Sequence, residues 1–340
     1  MAKERLKIDA ELEVRSPAEV QALARKAEAT GFDCLWFNET KHDPFVQLAL
    51  CAAGTKTVQM GSSIALAFTR SPTTMAYQAW DVQSLSNGRF ILGLGSQVRG
   101  HIERRFGMRW DPPAPKMREY ILALRAVWKC WQEGGRLDFQ GKFYKLSLMT
   151  PFFSPGPIEH PRVPVFVAGV NPVMCGVAGK VGDGLHVHPL HTRRYLREVV
   201  VKGLERGLTS ANRRREDVQV AASVFAAVGS SEAEIRAVKE AYRQQIAFYA
   251  STRTYKGLLE LHGWGDVAER LRQLSLRADW ESMTKEVTDE MLGEFVVEGS
   301  WEGIGDTLMR RYDGLADRLR LYLPYDGSEK WRALVGQFKA

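Results

Sequence analysis

Cysteine is scarce in this chain: Cys34, Cys51, Cys130 and Cys175 are the only 4 in 340 residues, and no two form a CxxC pair. That excludes a disulfide framework and a zinc finger, and the apolar neighbours of all four make them small hydrophobes. Nor does any apolar run approach the roughly 18 residues that a membrane helix requires. The start, MAKERLKIDAELE, is charged where a signal peptide would carry its apolar region, so a cytoplasmic location and no membrane partner are expected. Charge of one sign is in only modest excess: 47 Lys and Arg against 40 Asp and Glu give a formal +7, which suits anionic small molecules. Basic clusters such as Arg213-Arg214-Arg215 lack interleaved aromatics and match no DNA-binding spacing, so no nucleic-acid partner is expected. What remains, 45% hydrophobic and 26% charged, is the make-up of a globular protein with a large core.

An amphipathic stretch that ends at a glycine and passes within a few residues into an apolar run recurs at Gly31, Gly88, Gly182 and Gly314. A glycine just past a helix takes the left-handed conformation without a Cβ penalty, so the chain can turn directly into a strand. Apolar strands are predicted near 6–12, 34–38, 58–66, 90–95, 165–169, 184–188, 218–228 and 318–323. Helical patterns fall near 17–30, 44–54, 72–86, 116–133, 172–181, 192–208, 231–249 and 328–338, and Ser16-Pro17 and Ser71-Pro72 read as a cap followed by a first-turn proline. Short buried strands each followed by a helix require a parallel sheet, and closing it removes both edges. The expected fold is therefore one α/β domain over residues 1–340, a (β/α)8 TIM barrel, with an open doubly wound sheet as the alternative. Two connections are long. Residues 134–164, after strand 4, read as a hairpin and a lid over the site, and residues 250–312, before strand 8, as a helical insertion.

Several constellations carry chemistry. GLGSQVRG, Gly93 to Gly100, is neither GxGxxG nor a P-loop, but its strand-end position turns Ser96, Gln97 and nearby amides toward a ligand. His186 and His188 share a strand face, with His191 close by, so a metal-dependent hydrolase is an alternative, although no acidic residue stands at ligand spacing and no metal is expected. In FNETKHDPF, Glu39, His42 and Asp43 form a plausible proton-transfer group, while Asp43 equally suits a helix cap before Pro44. GSSIA, Gly61 to Ala65, ends in alanine where a nucleophile elbow has glycine. Trp128, Trp131, Trp264, Trp280 and Trp301 read as core and lid packing.

Taken together, FNETKHDPF, GSSIALAFTRSP, the SNGRFILGLGSQVRG stretch, LMTPFFSPGPI, VFVAGVNPVMCGVAGKVGDGLHVHP and LRLYLPY resemble the luciferase-like monooxygenase superfamily, especially its deazaflavin-dependent oxidoreductases. The resemblance covers nearly the whole chain. It implies a barrel that binds coenzyme F420, or alternatively FMN, at the C-terminal strand ends, with a non-proline cis peptide bulging against the ring around Ser63, Ile64 and Ala65. It further implies that Gly95, Ser96, Gln97 and Val98 border the ring or ribityl chain and that Ala168 and Gly169 lie along the ribityl path. Val170 and Asn171 would offer backbone amides to the phosphate at a helix start, where an anion is favoured, with His188 and Thr192 also on the phosphate side.

Several relatives carry Asp-His at the end of strand 2, where this chain has Glu39-Thr40. The catalytic residues implied are thus Glu39, with His42 in place of the missing histidine. Arg99, Arg104, Arg105, Arg193 and Arg194 offer a basic path to the acidic tail of F420. The implied activity is hydride transfer between F420 and a small organic substrate: an alcohol, an aldehyde or an activated C=C or C=N compound. The alternatives are an FMN-dependent monooxygenase and a non-catalytic flavin-binding protein. A homodimer is implied, and a flavin or deazaflavin reductase as the source of reduced cofactor.

Overall fold

Side-chain alternation along short strands sets the architecture of the computed structural model, which describes residues 5–14 and 16–339. The first four residues of the charged start, MAKE, lie outside them, as do Arg15 and Ala340. The strands are β1 (Lys7–Glu11), β2 (Cys34–Phe37), β3 (Gln59–Ser62), β4 (Phe90–Gly95), β5 (Val165–Gly169), β6 (Gly184–Val187), β7 (Gln219–Val224) and β8 (Arg318–Leu321). Each pairs in parallel with the next and β8 pairs with β1, so the sheet closes as a (β/α)8 barrel and the open-sheet alternative falls. A short extension, Ala65–Leu66, continues β3 beside the end of β4.

The ring of helices comprises α1 (Val20–Thr30), α2 (Pro44–Gly54), α3 (Pro72–Leu85), α4 (Pro113–Glu133), α5 (Pro172–Val181) and α6 (Lys202–Ser210), then, after the excursion helix α7 (Glu232–Ala250), α8 (Ile304–Tyr312) and α9 (Lys330–Gln337). Ser71 accepts from the Thr74 amide and Asp43 from the Phe45 amide, which makes Asp43 the cap of α2. Gly31, Gly88 and Gly314 have φ of 97°, 81° and 71°. Gly182 differs, with φ −87°; an added Cβ there would meet the Ala178 carbonyl at 2.9 Å, so close approach, not handedness, calls for glycine.

Residues of one parity, such as Ile8, Leu35 and Val167, pack outward against the helices, while Cys34, Trp36, Ile91, Phe166 and Ala221 fill the barrel interior. That interior also holds Arg318, whose guanidinium is paired with Asp9 at 2.8 Å and donates to Gln59 and Gln219.

The 134–164 insertion forms the expected hairpin, Phe139–Gln140 with Lys145–Leu146, but not the expected lid. It leaves the C-terminal end of α4, on the side of the barrel away from the strand ends, and runs over the outer faces of α3 and α4. Glu119 of α4 accepts from the amides of Lys142, Phe143 and Tyr144, and Trp80 and Gln83 of α3 donate to the carbonyls of Gly156 and His160. Trp128 and Trp131 pack on Trp80 beneath this segment.

The excursion before β8 starts earlier than 250: Ala226–Gly229 pairs with Val297–Ser300 beyond β7, and α7 belongs to it. Its helices occupy Lys256–Leu261, Gly265–Leu276, Trp280–Lys285 and Asp289–Phe295, and α8 then packs on α9. Among the described residues no helix is long and apolar enough to cross a membrane.

Candidate active site

Strand ends and the loops after them enclose a cavity of about 880 Å³, within the size range of cofactor and substrate pockets. One wall comes from β3, β4 and β5: Ser63 and Ile64, Gly95 to Val98, and Ala168 to Asn171. The Ser63–Ile64 peptide bond is cis, at the position the resemblance implies. Gly95 makes room for this bulge, because a Cβ there would stand 2.4 Å from Ile64 Cδ1. Gln97 has φ 56°, and its own side chain accepts the Val98 amide, holding the loop over the cavity. The facing wall comes from β6, β7 and β8 and from the end of α7, with His186, Ser223, Arg320, Tyr249 and Tyr255 among its residues.

His188 lines the cavity between Tyr249 and Tyr255, with ring centroids at 4.6 and 5.0 Å. Its Nδ1 accepts the Leu190 amide at 3.1 Å, so the neutral ring carries its proton on Nε2, which is left for a ligand. Burial, reinforced by His191 and Arg320, depresses its pKa to about 3, so it acts as a neutral donor. His191 is spent on structure: Nδ1 faces the His188 carbonyl at 2.8 Å and Nε2 the Tyr312 hydroxyl at 2.9 Å.

Four of the expected site residues lie elsewhere. Glu39 binds the Arg70 guanidinium at 2.8 Å and accepts the Leu66 amide at 2.8 Å. It therefore pins the β3 extension instead of facing the cavity, and Arg70 in turn reaches Asp43 at 2.8 Å. His42 is half-buried in the loop before α2 and does not line the cavity. Ala65 is fully buried, packed in the core outside the barrel interior. Thr192 is fully buried too: its hydroxyl accepts the Tyr195 amide and meets His262 Nε2 at 2.7 Å, so it caps a helix start and is closed to a phosphate. Glu39→Gln is accordingly expected to cost about 1–3 kcal/mol of stability and to leave the pH dependence of ligand binding unchanged; thermal melts and a binding titration at several pH values check both.

The helix start at α5 is also partly self-satisfied. Asn171 Oδ1 accepts the amides of Val173 and Met174, so an anion there must rely on the Val170 and Asn171 amides. Of the expected basic path, only Arg99 lines the cavity; Arg105 donates to the Thr40 carbonyl and Arg194 pairs with Glu198. Arg253, on the turn after α7, adds an exposed cation at the mouth. Sequence reasoning missed Asp9, Trp36, Ser223, Tyr249, Arg253 and Arg320 as cavity residues. The alternation Arg318-Leu319-Arg320-Leu321 was a usable signal, because two arginines on one face of a barrel strand must point inward.

A closed parallel barrel with a deep, mixed polar and apolar cavity at its strand C-termini defines a (β/α)8 barrel built around a small-molecule site. The chain belongs to the luciferase-like monooxygenase family, whose profile it matches over residues 3–318. It is 46% identical over 303 residues to an uncharacterized protein of Mycobacterium tuberculosis, covering 87% of this chain and 89% of that one. It is 26% identical over 289 residues to the 5,10-methylenetetrahydromethanopterin reductase of Archaeoglobus fulgidus, covering 83% and 82%. The coenzyme F420-dependent tetrahydromethanopterin reductase of Methanopyrus kandleri shares the fold at a TM-score of 0.79 and 22% identity, with 98% of each chain covered. An EDTA monooxygenase from Chelativorans shares it at 0.75 and 17%, with 99% and 94% covered.

Proposed function

We propose that this protein is an oxidoreductase that binds coenzyme F420 in the strand-end cavity and moves a hydride between it and a small organic substrate. The observation that carries this reading is the β3–β5 wall, where Ser63-Ile64, Gly95 to Val98 and Ala168 to Asn171 line one continuous face of a cavity large enough for a tricyclic ring. The residues fit such a group: Ser63, Gly95, Ser96, Ala168 and Gly169 are small residues lining the cavity, Arg99 and Arg253 line it as cations for an acidic tail, and neutral His188 offers one N–H. When bound, the deazaflavin supplies a carbon that gives or takes hydride where a flavin has nitrogen. The protein's part is to hold the ring against the Ser63–Ile64 bulge, to exclude water with Tyr249, Tyr255 and Trp36, and to orient the substrate. The names of the reductase relatives support deazaflavin over FMN. A homodimer, and a reductase that resupplies reduced cofactor, belong to the same reading; size-exclusion chromatography with light scattering checks the first.

Anaerobic mixing with oxidised F420 and a panel of alcohols, or with reduced F420 and aldehydes, imines and activated alkenes, tests the activity. Loss or return of the deazaflavin visible band with at least one compound is expected. Oxygen consumption with reduced FMN, and no reaction with F420, would contradict it.

A further inference from the structure

The cavity wall opposite the cofactor face carries buried polar atoms that have no hydrogen-bond partner among the described residues. Ser223 on β7 and Arg320 on β8 are direct neighbours in the parallel register, and both line the cavity. Ser223 is 3% exposed, yet its Oγ has no hydrogen-bond partner among the described residues, and neither has the buried Nη1 of Arg320. Buried donors without acceptors destabilise a fold, so a pair of them on one wall of a ligand cavity marks a place where a ligand atom completes the bonding.

The charge pattern selects that atom. Asp9 is matched by Arg318 and also accepts the Trp36 indole N–H at 2.9 Å. Glu11 accepts from Asn38 at 2.7 Å and lies 3.4 Å from Arg320 without the alignment of a hydrogen bond. Two carboxylates thus face two guanidinium groups, and the floor is electrically balanced. A carboxylate brought there would bury an uncompensated negative charge, whereas a neutral carbonyl oxygen accepts both donors and keeps the balance.

Resting on the proposed function, we propose that Ser223 and Arg320 form a subsite for a neutral carbonyl oxygen of the molecule bound in the cavity. That oxygen belongs either to the pyrimidinedione of the cofactor ring or to a carbonyl substrate placed across from it. The subsite excludes carboxylates because Glu11 already neutralises Arg320.

Ser223→Ala and Arg320→Met test this, with thermal melts confirming that each is folded; the loss of one oxygen in Ser223→Ala keeps the test usable if Arg320→Met does not fold. In the first arm each protein is titrated with F420, followed by cofactor fluorescence. In the second, F420-saturated protein is titrated with cyclohexanone and with cyclohexanecarboxylate, followed by tryptophan fluorescence, since Trp36 lines the cavity. A loss of about tenfold or more in F420 affinity assigns the oxygen to the ring. An equal loss for cyclohexanone with F420 affinity intact assigns it to the substrate. Glu11→Gln should raise binding of cyclohexanecarboxylate relative to cyclohexanone. Variants that match the wild type in both arms overturn the subsite while leaving F420 binding in place; wild-type protein that binds no F420 instead sinks the proposed function beneath it.

Discussion

Lowering the pH from 7 to 5 should cost the fold at least about 4 kcal/mol and bring its melting temperature down by roughly 6 °C or more. The cause is three histidines buried as neutral rings: His186, held well below the usual value of 6.5 by burial and by the charges of Arg320 and Arg318; His188, lowered to about 3; and His191, lowered to about 4. In the unfolded chain each takes up a proton as the pH falls through about 6.5, while the native state refuses it until its own, lower pKa. The unfolded state therefore binds more protons in that window, so the stabilisation is complete above about 6.5 and is lost progressively below it. His188 and His191 each contribute about 1.4 kcal/mol per pH unit, or about 2 kcal/mol at pH 5, and His186 acts in the same direction. Thermal melts at half-unit steps from pH 8 to 5 read this directly, and His191→Asn should lower the slope by about 1.4 kcal/mol per pH unit. A flat melting temperature between pH 6.5 and 5 would mean that the rings are hydrated or already charged.

Arg318→Met should destabilise the protein by about 3–5 kcal/mol, because it strands Asp9 in the barrel interior without its countercharge. Both partners of the pair are 1% exposed, so water cannot substitute. The Asp9→Asn, Arg318→Met double variant removes both charges while keeping an acceptor for Trp36 Nε1, and should recover most of the loss. Urea unfolding of the two variants beside the wild type measures the difference. Equal loss in the single and double variants would show that shape, not charge, is what the pair supplies.

All eight strands were legible because a parallel barrel strand is a short apolar run and the helix before it usually ends at a glycine; Gly31, Gly88 and Gly314 bear this out in their left-handed backbones. The β3–β5 wall was legible by resemblance, since its residues sit in contiguous segments. Glu39 was not, because its role is set by Arg70, 31 residues away, and by the Leu66 amide. Thr192 looked like a ligand for the same reason: His262, which meets it, lies 70 residues on. The lid was misplaced by counting from strand 4 instead of from the end of α4, which put the insertion on the wrong side of the barrel. Ser223 and Tyr249 carry no local signal at all; only closure of the barrel brings β7 and the end of α7 across from β4.

In the proposed function the strand-end cavity binds deazaflavin in preference to FMN. Cofactor-stripped protein titrated side by side with F420 and with FMN, followed by cofactor fluorescence, tests it most directly. A Kd of about 1 μM or tighter is expected for F420, with FMN binding at least about tenfold weaker. A preference for FMN, or binding to neither, would contradict it.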